Sequence, residues 1–499
     1  MSVRGGPPSI GVALLRVALA LIVVYAGLGA GLSYWQVVQA RELTNDPANP
    51  LMLSAARNAP RGRIFDAEGE LLARNIEGPD GTPVRDYPFP AAAPVVGYKS
   101  LQFGTDGIEA AYDAELVGLS QLTPGDEVLR KFRSDPYDPQ DVVLSIDMRL
   151  QARAMELLTD RRGAIVAIEP STGRILALAS APAFDPNRIV DPVEGTDYFA
   201  SLRDLPPEES QLLNRATRGR YTPGSILKIV TALAGLGSGA VNANTVYEDQ
   251  PQEEEDGFLV QGFRVRDGHH AATGDEPVDL LTAVEVSCNI WFAHTGLEIG
   301  GENLREWSRR IGFESSLPFE LPTRPSRLTP GDGPEGGFGD LVELANAAYG
   351  QGRTEVTPLQ MALVASTVAN DGTLMRPKLA DSLRREDGSR RDIGPQVLSR
   401  VVSGGDAATI QEAMHRAVEG DLGRGFAGDA KVSGVPTAGK SGTAELGGEG
   451  EPHSWFIGFA PVEEPRIAVA IIVERGGFGR SLAVPMGGDL MEVYLDLVE

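Results

Sequence analysis

From Val17 to Ala40 the chain runs for 24 residues without a charge, most of them Ala, Leu, Val, Ile or Gly. No feature constrains the fold more. As a helix this run spans about 36 Å, more than the roughly 30 Å of a bilayer's hydrocarbon core. Tyr34 and Trp35 fall at its far end, where aromatic rings favour the membrane interface. Arg4 and Arg16 precede the run, and the first acidic residue is Glu42. The positive-inside rule then predicts a cytoplasmic N-terminus and an extracytoplasmic remainder. A cleaved signal peptide is the rival. Its apolar core is shorter than this run, and no crisp small-x-small site precedes the mature region here. The expectation is a cytoplasmic tail at 1–9 and an uncleaved single-pass anchor over 10–40 in the cytoplasmic membrane.

The remaining length, out of 499 residues, is enough for two or three domains around a large core. A net charge of −24 argues against nucleic acid as a partner. The single cysteine, Cys288, excludes an intrachain disulfide. Five scattered histidines with one cysteine give no zinc spacing, so no metal and no cofactor is expected.

Residues 41–140 read as a small β-rich pedestal. Arg61 to Ala73 is strand, turn, strand, with turn residues from Asp66 to Gly69. Gly104-Thr105-Asp106-Gly107-Ile108-Glu109 opens a short helix through Leu116, and Ser134 to Pro139 reads as a linker. The region suits a spacer or a partner-docking surface.

Residues 141–499 change pattern. Val142–Ile146, Gly163–Ile168, Arg174–Ser180, His453–Ala460 and Ile467–Glu474 read as strands, the second and third joined at a Pro-Ser-Thr-Gly turn. Helices are expected over Met148–Thr159, Leu280–Ile299, parts of 341–370, and Ala407–Glu419. Strands at both ends with helices between predict an α+β domain, one antiparallel sheet fed from both ends with helices packed on it. The acidic run Glu253 to Asp256 reads as a solvated loop.

Within this domain, Tyr221-Thr222-Pro223-Gly224-Ser225-Ile226-Leu227-Lys228 opens an almost wholly apolar helix. Thr222 is placed as its N-cap and Pro223 at its first position. Ser225 and Lys228, three apart, share a face. A serine hydroxyl needs a base to become a nucleophile. A lysine whose pKa is lowered by burial or a nearby cation can serve, and arginine cannot. Only six of the 45 basic residues are lysines, so this one is not surplus charge. Alone, the tetrapeptide equally fits a buried serine beside a lysine that reaches the surface. Two further motifs change that balance. Ser287-Cys288-Asn289 offers a hydroxyl and an amide that can relay a proton and orient a lysine. Lys440-Ser441-Gly442-Thr443 offers a fixed positive charge, a hydroxyl and an N–H. On an edge strand, Gly442 would let a substrate backbone approach.

The three motifs, in this order and separated by about sixty and about one hundred and fifty residues, resemble the set found in penicillin-binding proteins and serine β-lactamases. Gly163 to Gly173 with Ala177–Ser180 is similar to the hairpin that opens that family's transpeptidase domain. Thr357-Pro358-Leu359-Gln360-Met361-Ala362 with Ala369-Asn370-Asp371-Gly372 is similar to its late helical segment, and Ser454 to Pro461 to the strand beside the Lys440 motif. The anchor, Arg61-Gly62-Arg63-Ile64 and Gly107-Ile108-Glu109 resemble the class B, monofunctional penicillin-binding proteins, whose pedestal is a dimerisation-like domain. Only about 100 residues lie between the anchor and the transpeptidase region, too few for the glycosyltransferase domain of a bifunctional protein.

The resemblance implies an antiparallel sheet with helices on both faces, and a D,D-transpeptidase that cross-links peptidoglycan stem peptides for elongation or division. It implies Ser225 as nucleophile, Lys228 as its base, Ser287 as proton shuttle and Asn289 as holder of Lys228 and the substrate amide. Lys440, Ser441, Gly442 and Thr443 form the substrate-binding strand, with Lys440 and Thr443 on the terminal carboxylate. The N–H groups of Ser225 and Thr443 form the oxyanion hole. Expected partners are stem peptides, β-lactams, the lipid bilayer and a membrane glycosyltransferase of the shape and division (SEDS) type. Two positions depart from the family pattern. Ser441 stands where Thr is more frequent, and Cys288 reads as a buried small residue rather than a reactive thiol. A β-lactamase or β-lactam sensor is the competing enzyme reading, and an activating scaffold the competing non-catalytic one.

Overall fold

The computed structural model describes residues 10–34, 61–78, 81–118, 138–267, 273–274, 276–447 and 450–498. The expected tail at 1–9, Trp35 with the rest of the apolar run to Ala40, and residues 134–137 of the expected linker lie outside these residues. Ile10–Ser33 is a single helix of 24 residues, long and apolar enough to cross a membrane. The chain divides into two units, residues 1–59 with 77–83, and residues 60–76 with 84–499.

The second unit is built on two sheets. One has six strands, in the order Arg390–Asp392, Ala380–Arg384, Asp141–Leu144, Ile64–Phe65, Leu71–Glu77, Pro83–Asp86. Ile64 pairs antiparallel with Ala73, across the expected turn, and parallel with Val142. Asp66 holds that turn by accepting from the N–H groups of Glu68 and Glu70 at 3.0 and 2.7 Å. The strand Asp141–Leu144 pairs on its other side with residues from 380 to 384. Three distant parts of the chain therefore share one ladder. The two short motifs of the pedestal meet here as well. Fully buried Glu109 accepts from Arg61 at 2.7 Å and from Arg85 at 2.6 Å. Two cations around one buried carboxylate compensate its desolvation.

The other sheet has five strands, antiparallel throughout, in the order Ala438–Ala444, His453–Ala460, Ile467–Val473, Gly163–Ile168, Ile175–Ala181. Residues from near both ends of 163–499 feed it, as the strand pattern predicts, but the expected strand Val142–Ile146 is not part of it: as Asp141–Leu144 it pairs in the six-stranded sheet, where Ile64–Phe65 offers it a parallel partner. Successive side chains on a strand face opposite ways. Ala164, Val166 and Ile168 join the core that holds the helices Lys228–Ser238 and Pro358–Ala369. Ile165 and Ala167 join a second core with the helices Met148–Leu157 and Ala483–Val498. Continuous apolar strands follow from this, because both faces of the sheet are covered.

Three local expectations change. The acidic run is not a loop: Gln250–Asp256 is helical, Glu254 is buried against the Gln250 amide, and Glu253 holds His294 at 2.6 Å. Leu280–Ile299 is not one helix. It breaks into Leu280–Glu285 and Asn289–Ile299, with Ser287 between them at φ 63. Thr222 is not a side-chain cap. Gly224, at φ 60, turns the chain sharply, Gly224–Leu227 forms a 3-10 turn, and the α-helix begins only at Lys228. The Thr222 carbonyl instead accepts from the indole N–H of Trp455 at 3.0 Å.

Candidate active site

Ser225 lies on the 3-10 turn and Lys228 heads the helix that follows. A side chain at Gly224 would put its Cβ 2.4 Å from the Thr443 carbonyl oxygen, so only glycine lets this turn press against the edge strand. Gly442 serves the same contact from the other side. Its missing Cβ faces Pro223 O at 2.9 Å and Ile226 Cγ2 at 3.0 Å. This corrects the expectation that Gly442 clears space for a substrate backbone. It clears space for the turn that carries Ser225.

Lys228 is fully buried. It donates to the Ser287 carbonyl at 2.5 Å, the Ser287 hydroxyl at 3.2 Å and Asn289 Oδ1 at 2.7 Å. The helix break makes this possible, since a continuous helix would tie the Ser287 carbonyl into its own ladder. Lys440 reaches the same hydroxyl, with Nζ 2.9 Å from Ser287 Oγ and 3.2 Å from the Ser441 carbonyl. Among the described residues neither amine forms an ion pair. Burial lowers the Lys228 pKa to about 8 against the opposing pull of Asp267 and Cys288. Burial, then the neighbouring Lys228, pushes Lys440 well below the usual lysine range. Burial and the neighbouring amine thus work against the expected fixed charge at Lys440, and an anion placed beside it would favour the charged form. The Ser225 hydroxyl is half-buried and meets no hydrogen-bond partner among the described residues, leaving it open to a substrate.

The edge strand adds the remaining groups. Ser441 and Thr443, two apart, share the strand face opposite Lys440 and Gly442. Thr443 Oγ1 accepts from the Gly479 N–H at 3.2 Å. The Thr443 carbonyl accepts from Gln351 Nε2 at 3.5 Å, off the sheet edge. In an antiparallel strand the N–H of the same residue points the same way, toward the Ser225 turn. All eight expected residues thus lie on two contiguous pieces of structure, the Ser225–Lys228–Ser287–Asn289 cluster and the strand Ala438–Ala444.

Sequence reasoning missed Asp267. Its half-buried carboxylate accepts from the N–H groups of Asn289 and Ile290, the latter at 3.2 Å, and so caps the helix Asn289–Ile299 from another part of the chain. The neighbouring Arg266 carbonyl accepts from Asn289 Nδ2 at 3.2 Å. Cys288 is buried, its thiol pushed up by that burial, and its sulfur accepts from the Trp291 N–H at 3.4 Å. It is a structural cap, as its reading as a buried small residue implies. Gly434 to Ser441 also fits the Gly-x-x-x-x-Gly-Lys-Ser pattern of nucleotide-binding loops. Such a loop wraps phosphate at the start of a helix. Here it leads into a strand whose lysine is committed to Ser287.

A serine on a tight turn, a buried lysine of lowered pKa one turn on, and a hydroxyl shared by two amines are groups from which a serine acyltransferase can be built. A family model for the penicillin binding protein transpeptidase domain matches residues 163–492, and one for the penicillin binding protein A dimerisation domain matches residues 61–138. The chain is 35% identical to the peptidoglycan D,D-transpeptidase PbpA of Mycolicibacterium smegmatis, over 95% of this chain and 97% of that one. It is 33% identical to PbpA of Mycobacterium tuberculosis, over 97% and 98%. The structure of penicillin-binding protein A from M. tuberculosis as a ceftriaxone acyl-enzyme complex superimposes with a TM-score of 0.77 at 30% identity, covering 89% of this chain and 100% of that one. The chain belongs to the class B penicillin-binding proteins, the serine D,D-transpeptidases of peptidoglycan synthesis.

Proposed function

We propose that Ser225 attacks the penultimate D-Ala carbonyl of a stem peptide, with neutral Lys228 as its base. The Ser225 oxygen forms the new ester bond while its proton passes to Lys228 Nζ. Collapse of the tetrahedral adduct breaks the bond to the terminal D-Ala, whose nitrogen takes a proton through the Ser287 hydroxyl. An amine of a second stem then attacks the ester, gives up its proton by the same route, and restores Ser225. The N–H groups of Ser225 and Thr443 stabilise the oxyanion, a contribution of typically several kcal/mol. The observation that carries this reading is Ser287 Oγ, at 3.2 Å from Lys228 and 2.9 Å from Lys440.

The terminal carboxylate of the substrate restores charge to Lys440, assisted by the hydroxyls of Ser441 and Thr443. A charged Lys440 in turn holds its neighbour Lys228 neutral. Substrate binding and activation of the base are coupled in this way. A β-lactam presents the same carboxylate and a strained amide, and leaves Ser225 acylated. Labelling with a fluorescent penicillin, followed by peptide mapping, tests the assignment. The adduct is expected on the peptide holding Ser225, and a label on any other side chain refutes it.

The reading extends to topology. Residues 1–9 form a cytoplasmic tail, 10–40 a single-pass anchor, 41–140 a pedestal and 141–499 an extracytoplasmic transpeptidase domain. The apolar helix Ile10–Ser33 supports this. A membrane-impermeant thiol reagent reacting with an Ala→Cys probe engineered at exposed Ala408 in intact cells is the expected outcome; protection until lysis refutes the topology. The pedestal docks a membrane glycosyltransferase of the SEDS type. Cross-linking from the pedestal in cells is expected to capture such an enzyme, and capture only from the transpeptidase domain contradicts the pedestal as the dock.

A further inference from the structure

A cavity of about 680 Å³ is lined by Tyr221, four residues before Ser225, and by Leu446, three residues after Thr443. It opens beyond the C-terminal end of the edge strand Ala438–Ala444. A strand advances about 3.3 Å per residue, which puts this cavity on the order of 10 Å past Thr443. A substrate laid along the strand, with its terminus at Lys440, can extend toward it.

The wall is rich in arginine, in a chain whose net charge is −24. Two of its carboxylates are already engaged. Glu474 holds buried Arg215 at 2.9 Å, the Tyr221 hydroxyl at 2.9 Å and Arg162 at 3.5 Å. Glu355 holds Arg220 at 3.1 Å and Arg327 at 2.8 Å. Arg215 is further fixed by the carbonyls of Ser210 and Glu208 at 2.8 and 2.6 Å, so it is part of the frame. Arg218, Arg324 and Arg475 line the same cavity and, among the described residues, pair with no carboxylate. Arg220 Nε is buried without a hydrogen-bond partner. Against these donors stand Glu208 and Glu209, both exposed to solvent. Unpaired planar guanidinium groups gathered around one cavity suit a carboxylate, which they can grip with two parallel hydrogen bonds.

We infer that this cavity binds a free carboxylate of the stem peptide upstream of its terminal D-Ala pair, so that the protein prefers stems in which that group is not amidated. The inference rests on the transpeptidase reading of Ser225. A peptide ending in D-Ala-D-Ala is held near its terminus by groups every such peptide satisfies. Discrimination between stems has to come from contacts farther along, and the arginine cavity is where the strand leads.

The test uses the full-length chain in detergent and two synthetic stem pentapeptides that differ in one upstream group, carboxylate or carboxamide. D-Ala release is followed with a D-amino acid as acceptor. The wild type is expected to favour the acid by about tenfold in kcat/KM, expressed mainly in KM. A double variant, Arg218→Gln with Arg475→Gln, is expected to bring that ratio near one, and Arg218→Glu to invert it. Both arginines are exposed, so folding is not at stake. Equal use of the two peptides by the wild type, or a ratio unchanged in the variants, overturns the inference. Penicillin acylation of the same wild-type preparation separates the two readings. If no adduct forms on Ser225, the transpeptidase assignment fails; if it forms and the ratio is one, only the carboxylate subsite fails.

Discussion

Lys228 Nζ donates to Asn289 Oδ1 at 2.7 Å, and the amide is held in that orientation because its nitrogen donates to the Arg266 carbonyl. The proposed base is aimed by a residue that is itself aimed, and the chain of contacts ends on backbone rather than on another mobile side chain.

A base acts only when unprotonated. With its pKa lowered to about 8, Lys228 is mostly protonated at neutral pH and mostly neutral above that value. The second-order rate constant for acylation by penicillin is therefore expected to rise with pH through about 8 and then level off. Stopped-flow measurements across this range check it, and a rate that falls over the same interval contradicts the assignment. Lys228→Arg keeps a positive charge that cannot be surrendered, and should slow acylation by at least about 100-fold.

Ser287→Ala removes the one hydroxyl that both amines share. Acylation and transfer each need a proton carried between nitrogen atoms, so both steps are expected to slow, by roughly 100-fold or more. The fold should tolerate the change, because the left-handed backbone at this position is already held by its neighbours. Single-turnover kinetics beside a melting curve separate the two effects. A variant that transfers at the wild-type rate would remove Ser287 from the mechanism.

Asp267→Asn deletes the carboxylate that opposes the lowering of the Lys228 pKa. Without that charge the amine loses its proton more easily, and the rising limb of the acylation profile moves to lower pH. The helix Asn289–Ile299 also exchanges a charged cap for a neutral one, at a cost of up to about 1 kcal/mol. A purely structural role would lower stability and leave the midpoint of the pH profile in place.

Gly224→Ala adds a methyl group where the Thr443 carbonyl oxygen already stands, at a backbone angle that favours glycine. The left-handed conformation alone costs about 1 kcal/mol. The overlap has to be relieved by moving the Ser225 turn off the strand. A fall in acylation rate larger than the loss of stability is expected. Equal rates in the variant and the wild type would show that the turn has slack.

Much of this was legible in the chain itself. Strands buried on both faces read as uninterrupted apolar runs, which is why Gly163–Ile168 and His453–Ala460 could be bounded from sequence. The motif residues were legible because their spacing is unusual as a set. Other features left no local signal. The apolar run from Leu280 to Ile299 continues through the break at Ser287, so periodicity could not report a left-handed residue within it. Asp267 lies 22 positions from the residue it caps, and nothing at its own position marks it. Which way Gly442 faces depends on the strand's pairing, known only once Gly442 is seen opposite Trp455. The acidic run from 253 to 256 misled for a related reason: Glu253 faces His294 on another helix, a contact that its own position does not announce.

One consequence of the six-stranded sheet bears on engineering. Ile64–Phe65 pairs with Asp141–Leu144, which pairs with Ala380–Arg384, so the ladder runs from the dimerisation-domain match, through a strand that lies between the two matches, to residues deep within the transpeptidase match. A chimera cut at residue 140 would leave the strand Asp141–Leu144 between a native neighbour and a foreign one. To transplant the N-terminal module of a relative intact, the graft has to carry the 380–392 hairpin with it, because the seam between the modules is woven into the sheet rather than laid in a linker.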